Sequence, residues 1–465
     1  MTNRPIYTYN WKDYAIANPA GYFDLATADT GAVPVRLFFT PALLAAAEDG
    51  LYPQIVTATR FPGVKLVAIT PDAHFGYGVP VGSVILTDST VAMGPVGYDI
   101  GCGMISARSA VPVDAATPAQ RLAFNQAVMA RVEMGAGGLS KTALRNVGEK
   151  EFEKLVRGGA DYYIAKYGAR VDRSRAERNR IPVDDPWVIP WGGKGRPERG
   201  ISQLGSLGGG NHFIELQRCE ETGTLFVQVH SGSRGFGHGL ATNYFELARA
   251  ENPRLPHLDQ GYFTPDSVHY RSYLNAVAAG GNFAIINRLI LFQQLAEAFR
   301  TVFGADLELI YEISHNLVQR EWHPDYGDVW VHRKGATRAF PAGHPGLAGT
   351  IWADQGHPIL IPGSNRDYSF ILRPLPGAVR SGYSVNHGAG RRLSRSAAKR
   401  ELDQERVNQL YRADGIVVNA DSDVPLDESD ACYKSAAAVV DAVVGAGLAE
   451  IEYRLWPLAS LKGLN

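Results

Sequence analysis

His387 stands in Asn386-His387-Gly388-Ala389-Gly390-Arg391 with no serine or cysteine beside it to activate. Elsewhere the chain offers three imidazoles, one thiol and one carboxylate of the kinds that bind divalent ions, which leaves His387 as the candidate for covalent chemistry. Asp99 and Cys102 lie in Gly97-Tyr98-Asp99-Ile100-Gly101-Cys102-Gly103, His212 in Gly208-Gly209-Gly210-Asn211-His212, His230 in Val229-His230-Ser231-Gly232-Ser233-Arg234-Gly235, and His315 in Ser314-His315-Asn316. Each sits in a glycine-, serine- or asparagine-rich turn beside an apolar run. A rigid sheet holds side chains at the mouth of a cleft from such turns.

An Asp, a Cys and three His form an oxygen, sulfur and nitrogen set that could seat two divalent cations, with the thiolate bridging them. Asp99 and Cys102 are three apart, close enough to share an ion. Thiolate softness favours zinc, while the hard carboxylate leaves manganese, iron or cobalt open. The alternative treats each imidazole as a hydrogen-bonded histidine in a polar turn and Cys102 as a small buried hydrophobe. Residue type alone does not separate the two.

These donors need elements to aim them. Residues 64–70 and 81–87 read as strands bracketing a polar turn at 71–78, and residues 225–230 and 307–314 read as strands delivering His230 and His315 at their ends. Leu291, Phe292, Leu295, Ala298, Phe299, Val302 and Phe303 recur at helical spacing, which predicts an amphipathic helix after Asn287-Arg288. Helices are also predicted over 122–133 and 434–444. The pattern is that of a mixed α/β (α+β) protein, without internal repeats or a clear linker.

Residues 166–200 depart from it. Lys166, Arg170, Arg173, Arg175, Arg178, Arg180, Lys194, Arg196 and Arg199 crowd a stretch with several prolines and two tryptophans. This reads as a basic surface insertion, either a contact for a phosphate backbone or a solvated charged loop.

Over 465 residues, 46 basic side chains against 47 acidic ones give a net charge of −1. No overall cationic field draws the chain to nucleic acid, so any such attraction must be local. Cys102, Cys219 and Cys432 form no C-x-x-C pair, which argues against a disulfide framework and for a reducing compartment. The N-terminus lacks a charged-then-apolar leader, and Asp441 interrupts the apolar stretch near 436–449. A soluble, cytoplasmic protein without a membrane span is expected. The 50 glycines cluster around the polar motifs, where backbone must come close to a ligand.

The motifs together resemble the RtcB family of RNA ligases in order and wording. The residues that carry the resemblance are Pro71-Asp72-Ala73-His74-x-Gly76, Gly97-Tyr98-Asp99-x-x-Cys102-Gly103, Leu207-Gly208-Gly209-Gly210-Asn211-His212-Phe213-x-Glu215, His230-x-Gly232-Ser233-Arg234-Gly235-x-Gly237-His238 and His315-Asn316. Val331-His332-Arg333-Lys334-Gly335-Ala336-Thr337-Arg338, Ile361-Pro362-Gly363-Ser364, His387-Gly388-Ala389-Gly390-Arg391 and Lys462-Gly463 continue it, so that it spans nearly the whole chain.

The resemblance implies a single compact domain with a central two-metal cleft. It implies a GTP-dependent ligase that joins an RNA 3′-phosphate or 2′,3′-cyclic phosphate end to a 5′-hydroxyl end with two manganese ions, in tRNA splicing or RNA repair. Asp99, Cys102 and His212 would hold one ion and Cys102, His230 and His315 the other, while His387 would carry the guanylate. Asn211 and the backbone at Ala389 and Gly390 would lie near the nucleotide phosphates, with Glu215, Ser364, Ser369 and Lys462 around the guanine. A carboxylate at Glu215 can accept from both N1 and N2 of guanine, a pair that adenine does not offer. Arg234, Arg395 and Lys334 match positions that would take the RNA terminal phosphate. His74 and His238 match the motif wording without an assigned role. An activating protein of the archease type is a further expectation of the resemblance.

The chain also departs from the pattern. Typical members carry Met-Gly-Thr-Ala after the serine matching Ser364, where this chain has Asn365-Arg366-Asp367-Tyr368, and Met93-Gly94-Pro95-Val96 replaces a paired-glycine form. Two other functions fit the residues: a metal-dependent hydrolase that opens cyclic RNA ends, and a non-catalytic RNA-end binding protein.

Overall fold

Apolar runs become strands where expected, and one overruns its predicted end. In the computed structural model, which describes residues 9–463 apart from 136, 138, 140–143, 145–146, 176–180, 184 and 256, the first run extends as Val64–His74. Its pairing with Val81–Thr87 is irregular between Ile69 and His74. A break of that kind is where a strand tolerates proline, so Pro71 does not end it. The polar turn predicted from 71 therefore begins only after His74, and Asp72 lies within the buried strand.

Val64–His74 and Val81–Thr87 belong to a seven-stranded sheet that also contains Gly327–Lys334 and Asn316–His323. In an eight-stranded sheet, Glu308–Ser314, Gly103–Pro112, Thr224–Ser231, Phe213–Cys219, Ala449–Lys462, Ser369–Pro374 and Ile359–Ile361 follow one another, and Val417–Val418 pairs with Ala449–Lys462. The ladders between consecutive members of that run are antiparallel wherever they pair. Alternation along the strands sorts their side chains into layers. Met104 and Phe226 pack with Leu66, Val84 and Val329 between the two sheets. Ile105, Ala107, Val227 and Val229 turn the other way, against a layer of helices. Helices Pro41–Ala46 and Leu51–Ala58 cover the outer face of the seven-stranded sheet. Sheet on sheet with helices outside both is one of the ways such elements bury their apolar faces.

The helix predicted after Asn287-Arg288 is Tyr270–Phe303, which begins well before that point and ends at Gly304 with φ 68°. Polar residues that read as a boundary instead face inward. Asn282 donates to the Val156 and Ile181 carbonyls at 2.7 and 3.0 Å, and Asn287 to the Ser206 carbonyl at 3.1 Å. This helix is long and apolar enough to cross a membrane, but 94% of its most apolar window is buried inside the protein. Helix Pro118–Arg131 starts ahead of the expected 122, set by a Thr117 cap and Pro118. Ala436–Gly445 starts after 434, capped by Ser435.

Within 166–200, Arg178 and Arg180 lie outside the described residues. The described remainder lies across the helical layer. Ile181 is buried with its amide on Asn282 Oδ1, Trp187 donates to Glu153 at 2.8 Å, and Trp191 packs on Phe152 and Phe236. Arg173 pairs with Asp161, Arg175 with Glu308 and Lys194 with Glu246.

Candidate active site

A cleft of about 420 Å³ opens where the eight-stranded sheet meets the loops of its neighbour. Asp99 and Cys102 arrive on a tight loop in which Cys102 donates its amide to the Asp99 carbonyl at 3.1 Å. An added Cβ at Gly101 would lie 2.8 Å from the Gly281 Cα, so glycines on both sides let this loop rest on the long helix. His212 precedes Phe213–Cys219, His230 ends Thr224–Ser231, and His315 bridges two strands.

The donors converge. Cys102 Sγ is 3.1 Å from His230 Nε2 and 3.5 Å from His212 Nε2. His212 Nε2 is 3.0 Å from Asp99 Oδ2, and His230 Nε2 is 3.2 Å from His315 Nε2. Two triads result, Asp99-Cys102-His212 and Cys102-His230-His315, each with its ligand atoms within 4.8 Å of one another and Cys102 common to both. His212 Nδ1 donates to the Leu207 carbonyl and His230 Nδ1 to the Asn211 carbonyl, at 3.0 and 3.1 Å. A carbonyl only accepts, so each Nδ1 carries the hydrogen and each Nε2 presents a lone pair inward.

Burial pushes the His230 and His315 imidazoles well below their ordinary range, and neighbouring imidazoles add to it. Burial and the adjacent Asp99 push the Cys102 thiol up. Burial alone would raise Asp99, but the polar groups packed around it, His212 foremost and Arg234 among them, hold it below the usual carboxylate range. Crowded lone pairs of this kind repel one another unless a cation lies between them. The donor set therefore fits divalent metal, and a bound ion would draw the Cys102 proton off.

His387 stands beside this group, its ring 4.9 Å from that of His315. Its Nδ1 lies 2.7 Å from Asp72 Oδ2, and its amide donates to the same oxygen at 3.3 Å. Burial would raise the Asp72 carboxyl, but its contacts with His387 and the Thr70 hydroxyl outweigh it and hold it below the usual carboxylate range. A carboxylate at that distance keeps the proton on Nδ1. Nε2 is thereby left as the nitrogen with a free lone pair. Backbone comes close on both sides: a Cβ at Gly335 would lie 2.8 Å from the His387 ring, and one at Gly390, which has φ 78°, would collide with the Asp72 carbonyl.

Of the expected nucleotide residues, Asn211, Ser364, Ala389, Gly390 and Lys462 line the cleft with His387. Glu215 and Ser369 lie deeper. Gln217 Nε2 donates to Glu215 Oε2 at 2.9 Å and to Ser369 Oγ at 3.2 Å, and Ser460 donates to Glu215 at 3.2 Å. Burial raises the Glu215 carboxyl to about 7 against the opposing charge of Lys462.

A family model described as tRNA-splicing ligase RtcB matches residues 54–463. The chain belongs to the RtcB family. It is 33% identical to a protein named tRNA-splicing ligase RtcB from Thermococcus kodakarensis, over 93% of this chain and 95% of that one. Identity is also 33% to the protein of the same name from Pyrobaculum aerophilum, with all of both chains covered. The RNA-splicing ligase RtcB of Mycobacterium tuberculosis is 32% identical over 88% of this chain and the whole of its own.

The basic residues expected at the RNA phosphate divide in this RtcB-family chain. Lys334 and Arg395 line the cleft. Lys334 Nζ donates to the Tyr77 carbonyl and, at 3.1 Å, to that of Val79, and burial lowers its pKa to about 8. Arg234 is buried with φ 55°, donating to Ser206 Oγ and the Gly135 carbonyl at 3.2 and 3.1 Å. It lies against Gly208, within the loop that carries Asn211 and His212.

Three residues of this RtcB site escaped the reading of the sequence. Asp72 stood in a quoted motif without a role, because the strand was thought to end before it. Glu428, only 2% exposed, gathers Arg391, Arg395 and Lys462 at 3.2, 3.4 and 3.6 Å. It holds three cations at one wall, and nothing in its Asp427-Glu428-Ser429 setting announces that. Arg288 lay in a predicted helix boundary. The departing segment at 365–368 is anchored as well: Arg366 bridges Asp414 and Asp430 at 2.6 and 2.9 Å, and Asp367 accepts from the Ala436 amide at 2.8 Å.

Proposed function

We propose that this chain is an RNA ligase that uses GTP and two manganese ions to join 3′-phosphate or 2′,3′-cyclic phosphate ends to 5′-hydroxyl ends through a guanylate carried on His387. The observation that carries the reading is the pairing of His387 with Asp72 beside a double metal-ligand cluster. Its RNA would come from tRNA splicing or RNA repair, and an archease-type activator rests on the resemblance alone.

In this scheme His387 Nε2 attacks the α-phosphorus of GTP, a P–N bond forms, and the P–O bond to pyrophosphate breaks. The ring becomes cationic as it is phosphorylated, and the Asp72 carboxylate on Nδ1–H stabilises that charge. An oxygen of the RNA 3′-phosphate then displaces Nε2, which moves GMP to the RNA end. The 5′-hydroxyl attacks the RNA phosphorus, and GMP leaves with its bonding electrons. A cyclic end must first be opened by water. The metal pair, held by Asp99, Cys102 and His212 and by Cys102, His230 and His315, would screen the negative phosphate oxygens from the attacking groups. Glu215 accepts from guanine N1 and N2, Lys462 lies beside it, and Lys334 and Arg395 meet phosphate at the wall.

Incubation with α-labelled GTP and manganese should leave acid-labile label on the wild-type chain and none on His387→Ala. Metal-loaded wild type that takes up no label overturns the reading. If His387→Ala still opened cyclic ends while wild type took no label, the metal-dependent hydrolase would stand in its place.

A further inference from the structure

We propose that the single-stranded RNA leading to the reacting end crosses a platform made by Tyr77 and His238, both backed by Tyr98, and passes on to the basic residues Arg196 and Arg199. The identity of the ligand rests on the ligase reading; the platform itself rests on geometry.

Tyr77 lines the cleft yet is 69% exposed. One exposed aromatic ring is unremarkable by itself. Here, however, the backbone beneath it is fixed at several points. The Gln54 side chain accepts from the Gly76 amide at 3.0 Å and donates back to the Gly76 carbonyl, and Lys334 Nζ binds the Tyr77 and Val79 carbonyls. A loop held this firmly presents its ring in one place instead of letting it collapse onto the surface.

Tyr98 supports the platform from below. It meets Tyr77 edge-on with centroids 6.1 Å apart and planes at 86°, and His238 stacks on it at 5.1 Å and 24°. Phe245 packs on Tyr98 at 4.7 Å from the core. Tyr98 is thus occupied, while Tyr77 and the exposed His238 keep faces toward solvent. Rigid aromatic faces beside a site of phosphate chemistry suit unpaired bases, because every base has a π-face and a duplex hides its own.

The path continues in the backbone. Residues 194 and 195 pack on the turn after His238: a Cβ at Gly195 would lie 2.7 Å from Leu240 Cδ2, and one at Gly239 would strike the Lys194 carbonyl. Arg196 and Arg199 follow, both exposed. Stacking surfaces that run into a basic strip make up the common pattern of a single-strand track. This also gives His238 a task that its motif left unassigned.

The test is fluorescence anisotropy with a short single-stranded oligouridylate ending in a 3′-phosphate, the same strand with abasic residues next to the end, and a blunt RNA duplex. Tyr77→Ala and His238→Ala should each weaken binding of the intact strand about tenfold, and Tyr77→Phe should retain it. Arg196→Glu combined with Arg199→Glu should weaken binding and flatten its salt dependence. Abasic RNA should bind wild type about as poorly as intact RNA binds Tyr77→Ala. Equal binding of intact and abasic strands, unchanged binding by Tyr77→Ala, or equal binding of the duplex overturns the proposal. Binding is read here without turnover, so a wild-type chain that fails to take up guanylate would sink the ligase reading and leave this result standing.

Discussion

Asp72 and His387 act as one unit although 315 positions separate them. Asp72→Asn preserves the shape but no longer compels the proton to stay on Nδ1, so the nucleophilic nitrogen is lost to the wrong tautomer. Uptake of guanylate should fall by about 10³-fold or more, measured as the single-turnover labelling rate. Glu215 supplies a second expectation. With its carboxyl near 7, a guanine bound there as proposed would meet the accepting carboxylate above that pH and a protonated group below it. GTP binding should weaken about tenfold per pH unit below about 7, and Glu215→Gln should remove this part of the profile. Side chains of this scale were read unevenly from sequence. His387 stood out because its neighbours offered nothing for it to activate, and the candidate metal donors, which the fold does bring together, because their turns follow apolar runs. Asp72 and Glu428 did not, since what each does depends on partners that only folding brings near.

At the scale of the element, the long helix Tyr270–Phe303 reaches the site through Arg288. Its guanidinium donates to the Gly101 carbonyl at 2.6 Å, the Ser231 carbonyl at 2.9 Å and Ser314 Oγ at 2.8 Å, and it pairs with Glu312. Those three positions adjoin Cys102, His230 and His315. One buried cation thus sets the spacing of ligands from three separate segments. Arg288→Leu should cost about 3–5 kcal/mol, because Glu312 remains as a buried charge without its partner. Pairing it with Glu312→Leu should recover much of the melting temperature but not the bound manganese, as thermal unfolding and metal analysis would show. Helical periodicity found the C-terminal half of this element. It missed the rest because buried polar groups such as Asn282, Asn287 and Arg288 look in sequence like an exposed boundary.

For the whole molecule, a cation pair held by these donors would tie the Asp99 loop, the turn at His212, the strand Thr224–Ser231 and the turn at His315 into one body. Chelation should lower the melting temperature by several degrees and manganese should restore it, since a ligand at a hundredfold its dissociation constant contributes about 2.7 kcal/mol. Differential scanning calorimetry with and without chelator checks this. The mixed α/β class followed from alternating apolar patterns. The stacking of two sheets between helices did not, because strand order depends on pairings between distant segments.

Ala449–Lys462 enters the eight-stranded sheet between Phe213–Cys219 and Ser369–Pro374. Until a ribosome has translated past residue 462, neither flanking strand can complete its ladder on that side. From the synthesis of Ser369–Pro374 onward the nascent chain therefore carries two strands that wait for the same partner, a period when chaperone cover matters. Lys462 arrives on that same strand, so the cleft it lines is complete only once the sheet closes.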